Sequence, residues 1–195
     1  VSQPYIPSAD EEAYLAFYGI DFQQSLAHVR QYFGHLPSID LSAKPQRIAC
    51  HYFENINAAR TCFIIHGYMD HTGLYGKLIN YLLHRGCSVV MMDMPGHGLS
   101  SGEPATIDSF GDYNLALRHC LDFFHGKTTS PWHAIGQSMG GAIVMDYLLS
   151  QQGDTAEVFD KVLLLAPLVR PAGWLNVRLM HWALKGFVSS IKRKF

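Results

Sequence analysis

No two cysteines in this chain stand in a C-x-x-C spacing. Cys50, Cys62, Cys87 and Cys120 are scattered, which argues against metal binding. Three fall in apparent strands and one in an apparent helix, so buried free thiols are expected, suited to a reducing compartment; a disulfide remains an alternative. No apolar run approaches the ~18 residues of a membrane span. The opening Val1-Ser2-Gln3-Pro4 has neither a basic region nor the apolar core of a secretory signal. None of the eleven histidines falls in a spacing such as H-E-x-x-H, so neither a metal nor another cofactor is expected. The net charge of -1 gives no reason to expect nucleic acid as a partner. Low-complexity tracts, internal repeats and obvious linkers are also missing.

What the chain does have is an ordinary globular profile: 195 residues, 48% hydrophobic and 16% charged, enough for one domain with a real core. Its charge is uneven. Residues 170–195 carry Arg170, Arg178, Lys185, Lys192, Arg193 and Lys194 and no acid. Ser8 and Glu11 form a capping-box pattern that predicts a helix through about Tyr18. Phe22 to Phe33 reads as a second helix or a packed irregular segment, and Gln46 to Phe53 as a strand. Apolar runs then alternate with helical patterns: Thr61–Ile65, a helix carrying Leu74, Leu78, Leu82 and Leu83, Cys87–Met92, a helix from about Ile107 to His125, Trp132–Gln137, a helix from near Met139, and Lys161–Ala166. Such alternation predicts βαβ units around a parallel sheet. The runs are apolar at successive positions, as in strands covered by helices on both faces. His66-Gly67, Asp93–Gly98 and Ser138 all fall at the carboxyl ends of these runs, where open α/β sheets bind ligands.

Gly136-Gln137-Ser138-Met139-Gly140 is a G-x-S-x-G motif between a predicted strand and a predicted helix. A sharp strand-to-helix turn exposes the serine hydroxyl, and the flanking Gly136 and Gly140 let strand and helix approach. Ser138 is therefore the candidate nucleophile. The N–H of Met139, at the start of a helix, is a candidate donor to an oxyanion. The second donor is expected from the loop after the first parallel strand, where a turn at His66-Gly67 would aim the N–H of Tyr68 inward. His66, His71 and His97 are expected to fix loops rather than react.

The three motifs HGYMDHTGLY (66–75), DMPGHGLSSGEP (93–104) and GQSMGG (136–141) follow one another in an order and spacing that resembles the α/β-hydrolases. Most similar is the group of monoglyceride lipases and lysophospholipases, sometimes labelled serine aminopeptidases, over about Gln46 to Leu168. The resemblance implies an α/β-hydrolase fold, with a mostly parallel, doubly wound sheet over residues 1–168 and the start of a helical lid over 169–195. It implies hydrolysis of a carboxylic ester of a single-chain lipid, a lysophospholipid or a monoacylglycerol, through an acyl-enzyme on Ser138. Tyr68 and Met139 would form the oxyanion hole, supported by His66, Gly67, Gly136 and Gly140. Alternatives are an acyltransferase or peptidase of the same fold, or a non-catalytic ligand-binding protein.

The reaction needs an acid and a histidine after the serine. After Ser138 the acids are Asp146, Asp154, Glu157 and Asp160, and the histidine is His181. Asp146 falls two turns into the helix. The other three acids precede the strand Lys161–Ala166, at its amino end, and His181 falls in the presumed lid. The Asp and His of the triad are therefore expected beyond residue 195, and this chain by itself is expected to be inactive or weakly active. Leu175–Phe195 has one polar helical face, with Arg178, His181, Lys185, Ser189 and Lys192. That face fits a solvated lid helix or peripheral contact with an anionic membrane surface. The expected location is the cytoplasm, either free or peripheral on the inner membrane surface.

Overall fold

The computed structural model describes residues 6–42, 44–150 and 158–169. Helix α1 (Ala9–Tyr18) begins where the capping pattern places it, with the Glu11 carboxylate accepting the Ser8 N–H at 2.8 Å. Gly19 ends it in the left-handed region, at φ +62°. The segment from Phe22 departs from expectation. Only Phe22–Ser25 (α2) is helical, and Val29–His35 is a strand, β1. A short hairpin follows, β2 (Ile39–Leu41) with β3 (Lys44–Gln46), so the next long strand, β4, spans Ala49–Asn55 rather than starting at Gln46.

The predicted alternation then appears: β5 (Arg60–Ile65), a 3-10 turn (Thr72–Tyr75), α3 (Gly76–His84), β6 (Cys87–Met92), α4 (Phe110–Phe124), β7 (Trp132–Gln137), α5 (Met139–Ser150) and β8 (Lys161–Leu165). Leu74 lies in the 3-10 turn and is exposed, and the inner face of α3 is Ile79, Leu82 and Leu83. Helix α4 starts three residues later than its apolar pattern because Ser109 caps it, its hydroxyl accepting the Gly111 N–H.

The six-stranded sheet runs β1-β4-β6-β5-β7-β8. Strands β5 to β8 are parallel to their neighbours within that group, whereas β4 is antiparallel to both β6 and β1. The sheet is thus mixed but mostly parallel. Successive residues of the central strands pack into opposite layers. Phe63, Ile65, Val90, Met92 and Ala134 join the cluster that holds α4 and α5; Cys62, Ile64, Val89, Met91 and Ile135 join the one that holds α1 and α3. Continuous apolar runs are what a sheet with two covered faces requires. All four cysteines are buried and free. Among the described residues β8 pairs only with β7, and Val162, Leu163 and Leu165 on it are exposed. No helix among the described residues is long and apolar enough to cross a membrane. Asp154, Glu157, His181, the basic segment and all of the expected lid except Val169 lie outside the described residues.

Candidate active site

The chain moves from β5 to β6 on one side and then, through α4, back past β5 to β7 on the other. In open α/β sheets such a reversal leaves a crevice outside the carboxyl ends of the strands, here β5 and β7. The two strands are direct neighbours, with Ile65 opposite Gly136. The loop after β5 and the turn after β7 therefore meet, although some seventy residues separate them.

Ser138 occupies the turn between β7 and α5 at φ +52°. A non-glycine residue in that left-handed region costs roughly 1–2 kcal/mol, so the surroundings must hold it. The Ser138 N–H donates to Leu165 O at 2.9 Å, and its carbonyl accepts the N–H groups of Leu168 at 2.9 Å and Ala142 at 3.1 Å. Three elements thus fix the bend: β7, α5 and the end of β8. The flanking glycines are set by close approach. A Cβ on Gly136 would lie 2.7 Å from Gly140 O. A Cβ on Gly140 would run into Ile65 O and lie 2.6 Å from His66 O. The Ser138 hydroxyl has no hydrogen-bond partner among the described residues and is partly exposed. The Met139 side chain is buried, and its N–H opens α5, where first-turn donors have no intrahelical acceptor.

Across the crevice, Gly67 to Tyr75 form the facing loop. The Asp70 N–H donates to Gly67 O at 3.2 Å, closing a tight turn through Tyr68 and Met69, the latter at φ +61°. No acceptor among the described residues takes the Tyr68 N–H. The Tyr68 hydroxyl donates to Ala105 O at 2.9 Å, which ties this loop to the one after β6.

Two buried groups order these loops from below. His66 donates from Nδ1 to Gly67 O at 2.7 Å, and its Nε2 accepts the Met94 N–H at 2.8 Å. Both ring nitrogens are occupied, and burial holds the imidazole below its usual pKa, hence neutral. Asp93 is fully buried. Its Oδ1 accepts from Thr72 N and Oγ1 at 2.8 and 2.7 Å, and its Oδ2 accepts the Leu99 N–H at 2.8 Å. Sequence reasoning placed Asp93 at a strand end but gave it no task; the buried carboxylate is what locks the two loops together. His71 caps the 3-10 turn, its Nδ1 accepting the Gly73 N–H at 3.2 Å and facing the Tyr14 hydroxyl of α1 at 3.3 Å. His97 packs against His66 and Tyr68 with its Nδ1 2.9 Å from Pro95 O.

The structure brings Ser138, Met139, Gly136, Gly140, His66, Gly67 and Tyr68 into one crevice. Of the acids after Ser138, the two among the described residues, Asp146 and Asp160, lie outside it. Asp146 accepts from Asn114 Nδ2 at 2.8 Å, between α5 and α4. Asp160 lies at the amino end of the sheet, 3.6 Å from His133 Nδ1. Among the described residues no group of three or more His, Cys, Asp or Glu could hold a metal ion.

Comparison with known proteins bears on this crevice. Residues 56–194 match the family described as "Serine aminopeptidase, S33". The chain belongs to this family of α/β-hydrolases. It is 29% identical over 144 residues to the monoglyceride lipase homolog of Monkeypox virus, covering 73% of this chain and 51% of that protein. It is 28% identical to human monoglyceride lipase, over 66% of this chain and 42% of the enzyme. A 90-residue match to phospholipase YtpA of Bacillus subtilis is 32% identical, over 46% of this chain and 34% of that protein. The chain spans about half the length of the monoglyceride lipases it matches. Among solved structures, the α/β hydrolase GrgF from Penicillium aligns with a TM-score of 0.65 at 14% identity, over 84% of this chain and 56% of that one. An esterase from Pyrococcus furiosus aligns at 0.59 and 19% identity, over 74% of this chain and 52% of that one. These two likenesses establish the fold.

Proposed function

We propose that the whole protein is a serine hydrolase that cleaves the carboxylic ester of a single-chain lipid, a monoacylglycerol or a lysophospholipid. The observation that carries this reading is the backbone of Ser138. A serine is held at φ +52° on a strand-to-helix bend, and among the described residues neither its hydroxyl nor the Tyr68 N–H of the facing loop has a hydrogen-bond partner. In the reaction, Ser138 Oγ attacks the ester carbonyl and its proton passes to a histidine base. The N–H groups of Tyr68 and Met139 steady the oxyanion of the tetrahedral intermediate. That intermediate expels the alcohol, and water releases the acyl group from Ser138 in a second attack. We assign the base and its partnering carboxylate to sequence following residue 195.

The choice of lipid is supported by the rim of the crevice. Met69 (71% exposed) and Tyr68 (53%) project from the loop after β5, and Leu168 (45%) and Val169 (72%) follow β8. The Leu168 N–H donates to Ser138 O, so this apolar material stands beside the nucleophile, where an acyl chain would run. The monoglyceride lipases and the phospholipase among the relatives support the same substrate class.

The test is turnover of a panel by the intact protein and by Ser138→Ala: monoacylglycerols, lysophospholipids, and aminoacyl anilides, which the family description makes the natural competitors. We expect release of fatty acid from the lipid esters. Loss of the hydroxyl should lower kcat by at least about 10⁴-fold, the scale seen when a triad member is removed. Turnover of anilides alone would replace the lipid reading with a peptidase, and undiminished turnover by Ser138→Ala would end the serine mechanism.

A further inference from the structure

One hydroxyl joins the two walls of the crevice. Tyr75 ends the 3-10 turn, and its Oη accepts the Gly67 N–H at 3.2 Å. Its single proton faces two acceptors, Gln137 Oε1 at 2.8 Å and Asp70 Oδ2 at 3.0 Å. Gln137 immediately precedes Ser138, and Gly67 immediately precedes Tyr68. One end of the bridge is thus one residue from an assigned oxyanion donor, and the other is one residue from the nucleophile. The fit is tight. A Cβ on Gly67 would overlap Gln137 Oε1 and lie 2.8 Å from Asp70 Oδ2. Burial raises the pKa of the phenol, the Gly67 N–H works against that, and the Asp70 carboxylate raises it further, so Tyr75 keeps its proton across the ordinary pH range.

We propose that Tyr75, with Gln137 as its acceptor, is a positioning residue that sets the span between the Tyr68 N–H and the Ser138–Met139 bend. The oxyanion site is thereby assembled before substrate arrives. This inference rests on the hydrolase reading above. Its physical basis is that hydrogen-bond donors stabilise a transition state only if they need no reorganisation when charge develops. Two loops joined to the sheet by single strand ends would drift relative to each other unless tied. The bridge supplies such a tie between the residues that immediately precede Tyr68 and Ser138, without touching substrate.

The experiment is a double-mutant cycle in the intact protein. Tyr75→Phe removes only the hydroxyl, and Gln137→Met removes the acceptor while keeping side-chain length. We expect each to lower kcat by roughly 10- to 100-fold, the scale of a small misplacement of catalytic groups, with little change in KM. Affinity for a trifluoromethyl ketone, which places an oxyanion in the hole, should fall in step with kcat/KM. The double variant should lose little more than either single one, because both cut the same bridge. Multiplying losses, or a raised KM at unchanged kcat, would overturn the proposal. Should Gln137→Met fail to fold, Tyr75→Phe carries the kinetic test alone. Amide hydrogen exchange at Gly67, whose N–H the Tyr75 hydroxyl accepts, gives a readout that needs no turnover: it should quicken in Tyr75→Phe, and unchanged exchange would also overturn the proposal. A wild-type protein that turns over nothing, yet shows the faster exchange in Tyr75→Phe, would sink the hydrolase reading and not the tether.

Discussion

Two parts of the sheet bury polar side chains, and they treat them in opposite ways. At the carboxyl ends of β5 and β6, His66 and Asp93 are fully buried, and the atoms they present are occupied by loop amides, a carbonyl and the Thr72 hydroxyl. On the antiparallel flank, His51 of β4 and Gln31 of β1 are equally buried. Among the described residues, neither ring nitrogen of His51 and neither amide atom of Gln31 has a hydrogen-bond partner. His51 is instead stacked between Phe33, at 4.4 Å, and Phe53, at 5.8 Å. A buried polar group without a partner costs about 1–3 kcal/mol, whereas one that is satisfied can specify a conformation. His66 and Asp93 thus organise the crevice, whereas His51 and Gln31 burden the flank.

The comparison can be broken most forcefully at Asp93. Asp93→Ala would strand three donors, the N–H and hydroxyl of Thr72 and the N–H of Leu99. Summing the cost of each, we expect a loss of about 4 kcal/mol in urea unfolding, with faster exchange throughout residues 67–75 and 93–100. A loss under about 1 kcal/mol would mean that the carboxylate does not lock the loops.

A smaller effect of opposite sign is expected on the flank. Burial pushes the His51 pKa down to about 4, an effect that the Asp93 charge only partly offsets. An unfolded histidine titrates near 6.5. The unfolded state therefore binds more protons between these values, and stability is lost as the pH falls from about 6.5 to about 4. His51→Phe should flatten that decline in Tm and raise stability at neutral pH by about 1–2 kcal/mol, since two unpartnered nitrogens disappear. The slope due to His66, whose pKa is also lowered by burial, should persist. An unchanged pH profile would show that His51 is solvated in solution.

The difference between these regions also separates what the sequence displays from what it hides. The four parallel strands, α5 and the turn at Ser138 were legible because a two-faced sheet demands continuous apolar runs, and close strand–helix packing demands Gly136 and Gly140. Strand β1 was not. It carries Arg30 outward, buries the polar Gln31 and ends near a glycine, so it lacks the apolar alternation that marks a strand. Its partner β4 was misplaced by three residues because the β2–β3 hairpin takes up Gln46. In the crevice, residue types announced the bend and its facing loop. The Tyr75–Gln137 bridge left no such signature, because it joins side chains 62 positions apart and exists only once Ile65 lies against Gly136. Asp93 could have been suspected, since a lone carboxylate after a fully apolar strand must find donors or pay for its burial.

The proposed function requires above all that Ser138 Oγ and two main-chain N–H groups converge on one oxyanion position. A crystal structure of the intact protein after reaction with a fluorophosphonate tests it most directly. The account predicts phosphorus bonded to Ser138 Oγ and the phosphoryl oxygen within about 2.7–3.1 Å of both the Tyr68 and Met139 nitrogens. A phosphoryl oxygen turned to solvent, or phosphorus bonded to any other residue, would contradict it.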